Sequence, residues 1–262
     1  MEENSPILTE MHDGVYVIIL NRPKQKNAFN KLMIDQWVEA LENAKRNEDI
    51  KVILITGNES AFCSGGDLND MKADLSPAET KDYLWRNVHR VALTIHDIDK
   101  PIICAINGIA VGAGLDMALM ADIRIMAETA KVSEGYINVG LIPGDGGAYY
   151  LPRIVGYSKA LELLWSGDFI SASEAKEIGL VNMVYPSETF FEKSLEYAKR
   201  IAAKPQIAVR LIKRTVKQSI KSDLSSSLDL VSSHFAIVKS SEDHKEAVNA
   251  FLQKRKPIFT GK

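Results

Sequence analysis

Short β-branched apolar runs alternate with stretches of helical periodicity over the first two-thirds of the chain, and this alternation constrains the fold more than any other feature. Residues 16–20 read YVIIL and stop at Asn21, Arg22 and Pro23, the pattern of a buried strand closed by a turn. From about 30 to 46, Leu32, Met33, Trp37, Leu41 and Ala44 recur at helical spacing. A second strand at 52–55 ends at Thr56 and Gly57. A helical stretch over 83–98 follows, with Leu84, Val88, Val91 and Ile95 on one stripe, and then a third strand at 102–106. A short helix from about 114 to 120, a strand at 123–126 and another near Val132 continue the series. Ser171 stands three residues before Glu174, a capping-box spacing that starts a helix, and Gly179 is placed to end it before a last strand at 181–185. Such a succession demands crossover connections and a buried, largely parallel sheet.

Beyond about residue 190 helical patterns take over, with breaks at Pro205 and around 222–227. The expected organisation is a mixed α/β core over 1–190 and a helical region over 191–262. The tail has no obvious core of its own, so it should pack on the α/β part or on a neighbouring subunit.

Composition narrows the function. Of 262 residues, 46% are hydrophobic and 25% charged, the balance of a globular chain, and no apolar run reaches membrane-spanning length. A net charge of −2 gives no global attraction to nucleic acid or anionic lipid. The polar, acidic first residues resemble no secretory or transit signal, so a cytoplasmic location is expected. Cys63 and Cys104 suit no disulfide framework and read as buried thiols, and the five histidines show no metal-ligand spacing. Trp37, Trp85 and Trp165 fall in apolar periodic stretches, which places them in the core.

Two glycine-rich segments carry the chemistry: AFCSGGDL at 61–68, after the second strand, and NGIAVGAGL at 107–115, after the third. Both therefore lie at one end of a parallel sheet, where such folds bind ligands. The second runs into a helix, whose first N–H groups are free to meet an anion or a polarised oxygen. Donors converging from two turns suit a carbonyl oxygen that gains negative charge. The same glycines equally serve tight strand-to-helix turns. Neither segment is a phosphate-binding P-loop or a dinucleotide fingerprint.

These segments stand in order with NRPK at 21–24, NAF at 27–29, KPIICAINGIAVGAGLDMALMADIRI at 100–125 and GLIPGDGG at 140–147. LPRIVG at 151–156, SGD at 166–168, AKEIGLV at 175–181 and FLQKRK at 251–256 follow. Through them the chain resembles the enoyl-CoA hydratase/isomerase (crotonase) family over almost its whole length. The resemblance implies a spiral of ββα units with a helical C-terminal trimerisation region, a homotrimer or dimer of trimers, and an acyl-CoA thioester as substrate. Coenzyme A then enters as part of the substrate, and neither a metal nor a further cofactor is expected.

Carried over residue by residue, the resemblance assigns the two oxyanion donors to the backbone N–H groups of Gly66 and Ala113, the latter where the family usually has glycine. It puts Lys24, Phe251 and Lys254 at the coenzyme A, the last two reaching a molecule held by the neighbouring subunit. Family hydratases use two glutamates around a water; here Asp116 and Tyr136 stand at those places. Glu134, two residues before Tyr136 and on its face if the segment is extended, and Asp145, inside the glycine loop, are the nearby carboxyls that can compensate. Asp145 can also simply fix its turn.

The resulting expectation is hydration of a 2-enoyl-CoA to a 3-hydroxyacyl-CoA. The alternatives are another reaction of the family built on Asp145 (isomerisation, thioester hydrolysis or dehalogenation) and a non-catalytic protein that binds acyl-CoA or RNA.

Overall fold

The computed structural model describes residues 5–67 and 75–262; Leu68, the last residue of the first glycine-rich segment, lies outside the described residues. The chain opens with an antiparallel pair, β1 (Ile7–His12) and β2 (Val15–Leu20), and then helix α1 (Lys31–Arg46). The side chain of Asn30 accepts from the Met33 N–H and so caps α1, whose buried stripe runs through Met33, Ile34, Trp37, Leu41 and Ala44.

From here the chain shuttles between two sheets. β3 (Val52–Gly57) lies in the large sheet and β4 (Ala61–Cys63) in a smaller one. Helices α2 (Pro77–Tyr83) and α3 (His89–His96) lead back to β5 (Ile102–Ile106) in the large sheet. Next come β6 (Ile109–Val111) in the small sheet and helix α4 (Ala113–Leu119). The same step recurs with β7 (Ile123–Ala127) and β8 (Lys131–Ser133), followed by α5 (Gly147–Val155) and α6 (Tyr157–Ser166). The two sheets run β1-β2-β3-β5-β7-β10 and β4-β6-β8-β9, with β9 (Ile170–Ser171) and β10 (Met183–Tyr185) on either side of helix α7 (Ala172–Glu177). This is the spiral of ββα units that the resemblance implied.

Pairings β2·β3, β3·β5, β5·β7 and β7·β10 are all parallel, and the strands β3 and β5 are buried on both faces. The capping box at Ser171 and Glu174 forms as its spacing predicts. Helix α8 (Phe190–Ala202) covers the large sheet through Phe190, Ser194 and Ala198, packing on β2, β3, β5 and β7. Helix α9 (Gln206–Ser219) then packs chiefly on α10 (Leu224–Ser240), and α10 on α11 (Glu242–Leu252). No residue of α10 is buried.

The tryptophans correct one expectation. Trp37 is fully buried, but Trp85 and Trp165 are 60% and 70% exposed. The stripe that periodicity detects on their helices is real, yet these rings stand outside its covered part. Cys63 and Cys104 are buried free thiols, with burial pushing the Cys63 thiol up to about 12. Among the described residues, no group of His, Cys, Asp and Glu is placed to hold a metal, and no helix is long and apolar enough to cross a membrane.

Candidate active site

The first glycine-rich turn is held by the segment that precedes α1. Phe29 donates its N–H to the Gly65 carbonyl at 2.9 Å, and Asp67 donates its own to the Phe29 carbonyl at 2.9 Å. This short parallel bridge leaves the Gly66 N–H facing away from Phe29. Arg22 locks the arrangement by an ion pair to Asp67 at 2.9 Å and a further bond to the Ala28 carbonyl. The Asn27 side chain is fully engaged as well, accepting from the Arg22 N–H and donating to the carbonyls of Asn58 and Ala61. Sequence reasoning singled out the motif that contains Arg22 and Asn27 but assigned neither residue a task.

The second turn delivers helix α4. Its positive φ falls on Gly112 (+52°), where a side chain would be strained, while Ala113 is already the first helical residue. Alanine at 113 therefore costs nothing in backbone strain, and its N–H is one of the donors that a helix start leaves without an intrahelical acceptor. A β-carbon at Gly65 would lie 3.7 Å from Ala113 N, so the two turns meet at this point. Gly66 and Ala113 are thus brought to adjoining backbone segments.

One helical turn along α4 from Ala113 stands Asp116, wholly buried. Its Oδ2 accepts from the Tyr136 hydroxyl at 2.7 Å and from the Asp145 N–H at 3.1 Å, and the Gly147 N–H also points to this carboxylate. The Tyr136 hydroxyl is simultaneously 3.1 Å from Asp145 Oδ2. Its ring lies against Gly112, at a distance of 3.6 Å from where a β-carbon would sit. The segment carrying Glu134 and Tyr136 is not extended: Glu134 starts a 3-10 helix over Gly135–Val139. Both side chains nevertheless converge on Asp116: the Tyr136 hydroxyl bonds to it, and Glu134, 1% exposed, stands beside it.

Three carboxyls and a phenol in one buried cluster cannot all be ionised. Burial, followed by the neighbouring charge of Asp116, pushes Glu134 up to about 10, so it carries a proton at neutral pH. Burial also raises Asp116, to about 6, against the lowering effect of the Tyr136 hydrogen bond. Asp145 is raised by burial too, opposed by the Tyr136 hydroxyl and by His89. Tyr136 is raised by burial and by the two aspartates, which fixes it as a neutral hydrogen-bond donor. Asp145 Oδ1, Asp116 Oδ1 and both Glu134 oxygens are buried without a well-formed hydrogen bond. The site therefore combines neutral acids with a carboxylate that ionises near neutrality, beside two backbone donors.

The remaining predicted residues lie elsewhere on the surface of the chain. Lys24 is exposed on a short 3-10 turn after β2. Phe251 is 83% exposed near the end of α11, and Lys254 follows it with a left-handed φ of +52°. Within one chain α11 packs principally on α10, so neither residue joins the carboxyl cluster. Sequence reasoning missed His89, whose Nε2 lies 2.7 Å from the Gly144 carbonyl, at the base of the Asp145 loop.

Known proteins resemble this chain along its length. It is 37% identical over 260 residues to the 1,2-epoxyphenylacetyl-CoA isomerase of Escherichia coli strain K12, covering 98% of both chains. It is 35% identical over 259 residues to the crotonyl-CoA hydratase of Syntrophomonas wolfei, again covering 98% of both. The crystal structure of an enoyl-CoA hydratase from Bacillus anthracis superposes with a TM-score of 0.93 at 34% identity, over 98% of this chain and 100% of that one. The model of the enoyl-CoA hydratase/isomerase family matches residues 10–262, and the chain belongs to that family.

Proposed function

We propose that the protein adds water across the double bond of a 2-enoyl-CoA, with Asp116 as the base and Asp145 as the acid. The observation that carries this reading is the shared Tyr136 hydroxyl, 2.7 Å from Asp116 Oδ2 and 3.1 Å from Asp145 Oδ2, beside the start of α4. The thioester oxygen accepts from the N–H groups of Gly66 and Ala113, which stabilise the negative charge it gains. Asp116, held ionised by Tyr136 and two backbone N–H groups, takes a proton from water as the oxygen attacks the β-carbon. Electrons move through the α-carbon to the thioester oxygen; the proton taken from water passes through the Tyr136 hydroxyl to Asp145, which delivers it to the α-carbon and completes the addition. Asp145 is preferred over Glu134 for this step because the Tyr136 hydroxyl joins it directly to Asp116.

A second reading is favoured by the same geometry. Two carboxyls on one phenolic oxygen can pass a proton between carbons two bonds apart, which is isomerisation of a 3-enoyl-CoA to a 2-enoyl-CoA. Lys24 and, across a subunit boundary, Phe251 and Lys254 are proposed to meet the coenzyme A. Assembly as a trimer or a dimer of trimers is proposed with them, supported by the uncovered apolar side chains of α9 and α10.

The test is incubation with crotonyl-CoA and with a longer 2-enoyl-CoA. Loss of the conjugated thioester absorbance, with 3-hydroxyacyl-CoA identified by mass, is expected. Inertness toward 2-enoyl-CoA together with a gain of conjugation from a 3-enoyl-CoA would replace hydration by isomerisation.

A further inference from the structure

The Asp145 loop is flanked by Gly144, Gly146 and Gly147, so its own side chains give it few anchors. One external anchor reaches it from the helical layer. His89 Nε2 lies 2.7 Å from the Gly144 carbonyl oxygen. A carbonyl can only accept, so this ring nitrogen carries the proton. The carbonyl of Gly144 and the N–H of Asp145 are the two ends of a single planar peptide group. That N–H donates to Asp116 Oδ2 at 3.1 Å. One rigid peptide therefore links the imidazole to the carboxylate, and whatever orients one end orients the other.

The local fold aims His89 at this peptide. Between α2 and α3 the helix widens into a π turn over Leu84–Val88, and the His89 N–H bonds back to the Leu84 carbonyl, five residues earlier. Such an inserted residue rotates the following side chains relative to the preceding turn, and these insertions concentrate at functional sites. The Asn87 side chain donates to the Tyr83 carbonyl at 2.9 Å within the widened turn. The Trp85 ring stands edge-on to the imidazole, with centroids 5.9 Å apart at 85°. The imidazole is thus held from two sides, by an indole and by the Gly144 carbonyl.

We infer that His89 is a positioning residue, which fixes the Gly144–Asp145 peptide and through it both Asp145 and the charged oxygen of Asp116. The inference rests on the proposed use of these two aspartates in proton transfer, and two readouts separate its failure from the failure of that reading. His89→Leu removes the donor; His89→Gln places an amide N–H where Nε2 sits. In His89→Leu, kcat on the 2-enoyl-CoA is expected to fall roughly tenfold to a hundredfold with KM nearly unchanged, as for a small misplacement of reacting groups. Amide hydrogen exchange at residues 144–147, followed in the intact protein by mass spectrometry, is expected to quicken about tenfold in His89→Leu. His89→Gln should keep most of the turnover and the slow exchange.

Wild-type turnover and exchange in His89→Leu would overturn the inference, as would a rise in KM with kcat and exchange intact. If the leucine variant fails to fold, the glutamine variant decides: a folded protein with slow exchange at the loop but lost turnover overturns it. If the wild-type enzyme turns over no enoyl-CoA but loop exchange still depends on His89, the assigned reaction fails while the positioning role stands.

Discussion

Tyr136 Oη lies 2.7 Å from Asp116 Oδ2, so a phenol supplies the strongest side-chain support of the buried carboxylate that would otherwise face a second acid. Tyr136→Phe removes that donor and leaves Asp116 with backbone N–H groups and the neighbouring Glu134 acid. A hydrogen bond to a charged group is worth about 1.5–3 kcal/mol, so kcat/KM should fall roughly tenfold to a hundredfold. The direction of the pH effect is fixed too. The Tyr136 bond lowers a group that burial has raised to about 6, and without it the group rises further. Activity that needs ionised Asp116 is lost as pH falls, so the acidic limb of the kcat/KM profile should move to higher pH in the variant. An unmoved limb would show that Asp116 is not the base.

Glu134 predicts a stability effect of opposite sign to that of a paired surface carboxylate. Its folded value is raised from 4.5 to about 10, so the unfolded chain binds fewer protons than the native one between these limits. Stability due to this group is therefore greatest below about 4.5 and is lost as pH rises toward 10, at up to about 1.4 kcal/mol per pH unit. Glu134→Gln keeps a donor toward Asp116 and removes the titration. Its thermal midpoint should exceed that of the wild type by a margin that widens from pH 5 to pH 9. A constant margin would mean that Glu134 is ionised in the folded protein.

The contrast between Ser171 and Glu134 shows what the sequence makes legible. The Ser171–Glu174 capping box, the α1 stripe and the β5 run are set by residues within a few positions of each other, and spacing alone reveals them. β4 and β6 are three residues each, pair with each other and β6 with β8, and sit inside or beside glycine-rich turns. Their partners are tens of residues away, so no local period announces them. The carboxyl cluster was legible as a set of four residues, because family motifs bracket Asp116 and Asp145. Its wiring was not. Whether Tyr136 donates to Asp116, to Asp145 or to both depends on a 3-10 turn after β8, and the burial of Glu134 depends on the packing of that turn. His89 left no trace because a one-residue π insertion decides where its ring points.

Gly147 offers a steric test of the Asp116 position. A β-carbon there would lie 2.2 Å from Asp116 Oδ1 and 3.1 Å from Pro143 Cβ, so Gly147→Ala must push the carboxylate or the loop aside. Overpacking of this kind costs about 1–3 kcal/mol. The variant should fold, melt several degrees lower, and lose most of its turnover while still binding an unreactive acyl-CoA thioether. Full activity would mean that the loop moves freely and that its hydrogen bonds to Asp116 do not matter.

The tail supplies the last prediction. Ile212, Val216, Ile220, Leu224, Leu228 and Phe235 are exposed along α9 and α10, and Phe251 and Lys254 extend beyond them without joining the carboxyl cluster of their own chain. If these apolar residues lie between subunits, replacing Ile220 and Leu228 together by glutamate buries two charges in the contact and should dissociate it. Light scattering should then report a smaller assembly than the wild type. If Phe251 and Lys254 act on a neighbour's coenzyme A, the same double variant should raise KM roughly tenfold, the loss of about 1.4 kcal/mol of binding, with the carboxyl cluster untouched. Phe251→Ala with Lys254→Ala should raise KM to a similar extent without changing the assembly. An unchanged mass in the glutamate variant would place the subunit contact elsewhere. A smaller assembly with wild-type KM would place Phe251 and Lys254 outside the coenzyme A site.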